Sequence, residues 1–208
     1  RCMNKLYRVT PFGEIIATSA RGTLMGNRGV LHSPDQIIVR AHQTRRWISC
    51  QLSYKGWKRP IMAPNRYTEL FFLDELTALS AGHRPCALCR RPAYEAFRAA
   101  WLKAQRLAKK PSANEMDLLL HQQRIERRQK VTFEAMIEEL PSGVMGSWDG
   151  KTAVLLWQKR PFRWTPFGYE PLAQSAWRPN EPLQVLTPAI IVKILTQGYE
   201  PLCHHSLA

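Results

Sequence analysis

Five cysteines stand in this chain of 208 residues, at positions 2, 50, 86, 89 and 203. Only Cys86 and Cys89 are close, within Gly82-His83-Arg84-Pro85-Cys86-Ala87-Leu88-Cys89-Arg90-Arg91. Two thiolates separated by two residues can share one metal ion, because a tight turn aims both sulfurs at one point. Zinc then needs two more ligands for tetrahedral closure. Cys50, in a predicted strand ahead of the pair, is the best third ligand, and His32 is preferred over His42 as the fourth. His83 is closer in sequence, but three ligands from one turn would strain the geometry. With four protein ligands no position stays open for water, so the expected zinc is structural. An odd cysteine count with a single close pair is unlike a secreted disulfide framework, and the opening residues lack a secretory signal. The expectation is a reducing, cytoplasmic setting.

The stretch from Ala78 to Cys89 resembles the second half of the zinc-binding module of Ada-type DNA methyl-phosphotriester repair proteins. The same half-motif appears in some bacterial nucleases. In the Ada-type module a short helix precedes the Cys pair, and an earlier Cys or His pair completes the zinc site. The resemblance covers about a dozen residues and implies a metal module in a DNA context. By analogy it would make Cys50 the methyl acceptor. Two departures stand out: His83 occupies a position where the family has Phe or Tyr, and no close ligand pair precedes Cys50. The whole chain also resembles a group of basic bacterial proteins.

Other residues could do acid–base chemistry. Asp117, His121, Arg124 and Arg128 fall on one stripe of a predicted helix, where Asp117 could orient His121 as a general base. A solvated salt-bridge face explains the same spacing. Glu69 could hold a divalent ion or a water, whereas Asp74 and Glu75 suit a helix start. Cys203-His204-His205 offers a further ligand or nucleophile group. No Gly-x-Ser-x-Gly or His-Glu-x-x-His motif is present. The Pro-Cys-x-x-Cys half of a zinc deaminase is there, but its upstream His-x-Glu is not, which excludes that class.

Formal net charge is +14, and +9 of it lies in residues 1–60. Such an excess favours a polyanionic partner. Arg21-Gly22-Thr23-Leu24-Met25-Gly26-Asn27-Arg28-Gly29 reads as a loop whose glycines could let backbone N–H groups reach a phosphate, flanked by Arg21 and Arg28. The same glycines suit a plain surface loop. Arg45-Arg46-Trp47, Tyr54-Lys55-Gly56-Trp57-Lys58-Arg59 and Lys159–Trp164 interleave cations with aromatics. Cations neutralise phosphates and exposed rings stack on bases. Strands with rings inward and cations outward would look the same in sequence.

The elements that must position these groups are read from periodicity. Leu6–Val9, Ile15–Thr18, Gln36–Arg40 and Trp47–Tyr54 read as strands. Asp74 should cap a helix over Glu75–Ala81 that ends at Gly82. Further helices are expected from Pro92 to about Ala108, over Asn114–Lys130, and from Thr132 to Leu140. Asp149-Gly150 signals a hairpin before Ala153–Trp157, and Thr187-Pro188 opens a last helix that stops before Gly198. The fold class is therefore α+β: an N-terminal antiparallel sheet with a zinc knuckle, central helices, and a small C-terminal β-rich unit with a helix. The expected regions are 1–92, basic, β-rich and zinc-binding; 93–140, helical; and 141–208, α+β.

The function expected on these grounds is a zinc-stabilised nucleic-acid-binding protein of DNA repair or modification, with DNA favoured over RNA and no membrane partner. Its binding residues would be Arg21, Arg28, Arg45, Arg46, Trp47, Lys58 and Arg59. Two alternatives stay open. One is a nuclease or base-processing enzyme using Asp117, His121 or Glu69; the other is a basic subunit of a larger nucleoprotein assembly.

Overall fold

The computed structural model describes residues 7–57 and 60–208. Leu6, Lys58 and Arg59 therefore lie outside the described residues, as does Cys2. The N-terminal half builds a six-stranded sheet from β1 (Tyr7–Val9), β2 (Ile15–Ala17), β3 (Leu24–Asn27), β4 (Ile48–Cys50), β5 (Leu70–Phe72) and β6 (Arg84–Pro85). Their order is β2-β1-β5-β3-β4-β6, antiparallel except at β1/β5 and β4/β6. Between β5 and β6 runs the short helix α1 (Glu75–Ser80). It starts where Asp74 Oδ1 accepts from the Thr77 N–H at 2.9 Å, and it is followed by Gly82 at φ +83°. Both features match the sequence expectation.

Helices α2 (Arg91–Ala104) and α3 (Ala113–Arg124) follow. Ser112 and Glu115 form a reciprocal capping box at the start of α3. The chain does not continue helically to Lys130. It turns through β7 (Ile125–Glu126) and β8 (Gln129–Lys130), a hairpin with Arg127 and Arg128 at positive φ. The helix expected over 132–140 is instead β9 (Phe133–Ala135) and one 3-10 turn. Strand pairing decides this: β9 finds an antiparallel partner in a second sheet, so tertiary contact overrides local propensity.

That second sheet contains β10 (Val144–Ser147), β11 (Val154–Trp157), β12 (Arg160–Thr165), β13 (Gly168–Pro171) and β14 (Leu183–Val185) besides β9. Its order is β13-β12-β11-β10-β14-β9. The expected Asp-Gly turn joins β10 to β11, with Asp149 accepting from the Lys151 and Thr152 N–H groups at 2.8 and 2.7 Å. Helix α4 (Ala189–Thr196) packs with α2 and α3 on one shared core that includes Phe97, Trp101, Leu120 and Ile194.

Every residue of α1 is buried. Ala78 joins the core of the first sheet with Val9, Leu24 and Phe72. Leu76 joins that of the second with Met145, Leu155 and Tyr169. Helix α1 is thus the pin between the two sheets, and both polar clusters described below sit at its ends. No helix among the described residues is long and apolar enough to cross a membrane.

Candidate metal centre and cationic cleft

The Cys pair sits in the turn between β6 and α2. Residues Arg84 and Pro85 pair in parallel with Ile48 and Ser49, and the Cys86 N–H donates to the Ser49 carbonyl at 2.9 Å. This stitching carries Cys50, at the end of β4, to the pair across 36 positions of sequence. The ligand atoms of Cys50, Cys86 and Cys89 lie within 4.8 Å of one another. Sulfurs on one tetrahedral zinc stand roughly 3.8 Å apart, given Zn–S of about 2.3 Å. The three residues can hold a metal ion with small adjustment.

Their protonation chemistry fits the same purpose. Thiol hydrogen bonds with Cys86 and Cys89, then burial, push Cys50 far up. Bonds from Cys50 and Cys89 hold Cys86 down, helped by backbone N–H groups, one of them Leu88 at 3.4 Å. A single negative charge can be shared by the set, but three thiolates this close repel strongly unless a cation lies between them.

Two buried ion pairs fasten the turn on either side. Arg84 meets Asp117 of α3 with two bonds of 2.8 Å. Arg90 meets Glu75 of α1 at 3.0 and 2.6 Å and also donates to Ser49 Oγ at 2.9 Å. Bidentate guanidinium–carboxylate geometry fixes orientation as well as distance. His83, where the Ada-type module has an aromatic, packs its ring against Phe72 and Trp47. Burial, then Arg28 and Arg124, drive it well below its ordinary value. It is no ligand; it accepts from Arg28 Nε at 3.2 Å.

His32, expected to complete the ligand set, is placed elsewhere: its Nδ1 lies 2.6 Å from Thr68 Oγ1. Among the described residues no fourth His, Cys, Asp or Glu joins the three cysteines. The Cys203-His204-His205 run forms no such group either. Cys203 contacts the Pro201 carbonyl, and His204 contacts Ser206.

At the other end of α1 lies a cavity of about 380 Å³ lined by Arg28, Arg124, Arg128 and Lys130, with Trp47 in its wall. Arg28 and Arg124 each place the guanidinium carbon about 4 Å from the Trp47 ring centroid, at 3.9 and 4.0 Å. Arg28 donates to the Gly13 carbonyl, Arg124 to those of Gly82 and Arg45, and Lys130 to that of Ser80. Burial, then Arg124, lowers Arg28 to about 9. Burial and Arg84 lower Arg124 to about 9 against an opposing pull from Asp117. Burial, then Arg28 and Arg124, lower Lys130 to about 7.

The remaining residues singled out from sequence are dispersed. Arg21, Arg45 and Arg46 are exposed, the last two beside a second cavity of about 460 Å³. Trp47 is buried, with its indole N–H on the Thr44 carbonyl, so it is not presented to a base. Asp117 is committed to Arg84, while His121 lies against Arg124 and the His42 ring. Glu69 is buried and accepts from the Met62 N–H at 2.8 Å.

The stretch read as a glycine-rich loop has β3 at its centre, inside the sheet. A Cβ on Gly26 would collide with the Ile48 carbonyl and the Phe72 ring, so this glycine serves close strand packing. In Lys159–Trp164, Phe162 and Trp164 turn towards the core while Arg163 pairs outward with Glu170. Sequence reasoning missed Lys130, Arg84 and Arg90. Arg84 and Arg90 flank the Cys pair, and that adjacency was the available signal; for Lys130 there was none.

Compared with known protein families, curated proteins and solved structures, the chain matches none.

Proposed function

We propose that the protein is a zinc-stabilised nucleic-acid-binding protein that acts on DNA in repair or modification, within the cytoplasm. The observation that carries this reading is the grouping of cations around two cavities. Arg28, Arg124, Arg128 and Lys130 line one, and Arg45 and Arg46 the other. The carboxylates there are few: Asp117 is already paired with Arg84, and Glu14 is exposed. A surface of this kind gains by releasing counterions from a phosphate backbone. Three thiols brought together in the cysteine turn would supply the metal-held scaffold, in keeping with the Ada-type resemblance.

Enzymatic processing of nucleic acid is the less supported reading, because the carboxylate that would orient His121 faces Arg84 instead. The test is fluorescence anisotropy with single- and double-stranded DNA and RNA across a salt series. The expected outcome is affinity that falls linearly in log–log form with salt. Replacing the exposed pair, Arg45→Glu with Arg46→Glu, should weaken binding by more than about tenfold and flatten the slope by about 2. Absence of binding at about 50 mM salt would remove the reading. Co-purification with a protein partner alongside weak oligonucleotide affinity would favour an assembly subunit.

A further inference from the structure

Buried cations normally face carboxylates, and the cavity beside α1 departs from that rule. Arg28 is 1% exposed, yet its Nη2 has no hydrogen-bond partner. Arg124 is 2% exposed, and its Nε has none either. Lys130 gives one of its three ammonium donors to the Ser80 carbonyl. Arg128 adds a fourth, exposed cation, and the lining acid Glu14 is exposed at the edge. His83 cannot neutralise Arg28, since its Nε2 accepts the Arg28 Nε–H and its ring is held neutral by burial.

We infer that this cavity is a binding site for a phosphomonoester, whose dianionic head is met by Arg28, Arg124 and Lys130 and closed over by Arg128. Arg28 and Arg124 both line the cavity, each keeps one buried guanidinium nitrogen without a partner in the fold, and stacking on Trp47 holds both guanidiniums in place. A dianion with three or more oxygen acceptors matches several converging cations better than a carboxylate does. The size agrees: about 380 Å³ exceeds a bare phosphate and leaves room for the sugar that bears it, against Phe12 and Ala41. The lowered values of Arg28, Arg124 and Lys130 rise again once an anion is seated, so binding takes up protons near and above neutral pH. The same head can come from the end of a nucleic-acid strand or from a free phosphorylated small molecule. The site stands without the nucleic-acid reading above.

The test is calorimetric titration of the intact protein with inorganic phosphate and with a nucleoside 5′-monophosphate. Both should bind, the nucleotide more tightly. Arg128→Ala, at an exposed position, and Lys130→Met, which keeps the chain length, should each weaken binding by about tenfold. Glu14→Gln should tighten it. Circular dichroism of each variant shows whether the fold persists, and Arg128→Ala and Glu14→Gln decide the matter should Lys130→Met unfold.

An oligonucleotide carrying a terminal phosphate, set against its dephosphorylated twin, identifies the source. Preference for the phosphorylated end assigns the site to strand termini. Equal binding of the two, with phosphate and nucleotide still bound, assigns it to small molecules. Absence of binding by phosphate, nucleotide and phosphorylated strand would overturn the proposal. So would phosphate binding that Arg128→Ala and Glu14→Gln leave unchanged. Loss of general oligonucleotide affinity alone would count against the surface reading and not against this site.

Discussion

Two pairs of buried arginines surround helix α1, and they are built in opposite ways. Arg84 and Arg90, flanking the cysteine turn, each grip a buried carboxylate with two hydrogen bonds. Arg28 and Arg124, beside the cavity, have backbone carbonyls, a neutral histidine and a tryptophan face, but no carboxylate bond. The first arrangement is closed. Tyr199 and the Leu202 N–H also bond Glu75, and Tyr169 and the His204 N–H bond its neighbour Asp74. The second retains unpartnered donors and repelling charges. A closed buried network fixes geometry, whereas an open one keeps affinity in reserve for a ligand.

The sharpest way to break this contrast is to remove one partner from each pair. Glu75→Gln or Arg90→Met leaves an uncompensated charge or polar group in the closed network. It should cost about 3–5 kcal/mol, or about 6–20 °C in thermal midpoint for a chain of this size. Arg84→Met should fall in the same range, because the buried Asp117 then loses both hydrogen bonds from Arg84. Lys130→Met should behave differently, ranging from neutral to stabilising by about 1 kcal/mol in chemical denaturation without ligand. A large loss there would mean that the cavity cations are structural after all.

Titration gives a subtler separation. Burial, then Arg28 and Arg124, lower Lys130 from 10.5 to about 7. Between those values the unfolded chain holds more protons than the folded one, so stability should rise with pH from about 7 towards about 10. Below about 7 Lys130 is charged in both states and adds no further slope. Denaturant melts of the native chain minus those of Lys130→Met isolate this contribution from Arg28, Arg124 and Arg128, which face the same cavity, and from Glu14 at its edge. A difference curve that falls with pH would reverse the sign and reject the repulsion. The smallest effect belongs to Arg163→Ala. Its pairing with Glu170 is half-exposed, so the change should stay within about 1 kcal/mol.

What could be read in advance was what short-range chemistry decides. Asp74 as a cap, Gly82 after the helix, the Asp149-Gly150 turn and the Cys86–Cys89 pair each depend on neighbours a few residues away. Cys50 could be nominated because a predicted strand carried it. What stayed hidden depended on distant partners. Leu24–Asn27 is a strand because β4 and β5 flank it, although its glycine content reads as a loop. Phe133–Ala135 pairs with β14 rather than winding into a helix. Asp117 could be placed on a helix face, but that it faces Arg84 follows only from how α3 meets the cysteine turn. The half of the site made by the knuckle was legible; its clamps and the cavity behind α1 were not.

The three cysteines of the turn could hold a metal ion, and metal content tests that reading directly. Protein purified without added metal should carry one zinc ion per chain by elemental analysis. Cys86→Ser should lose it together with a thermal midpoint lower by about 10 °C or more. A folded, metal-free protein whose stability is unchanged by a chelator or by Cys86→Ser would contradict the assignment of Cys50, Cys86 and Cys89 as a metal site.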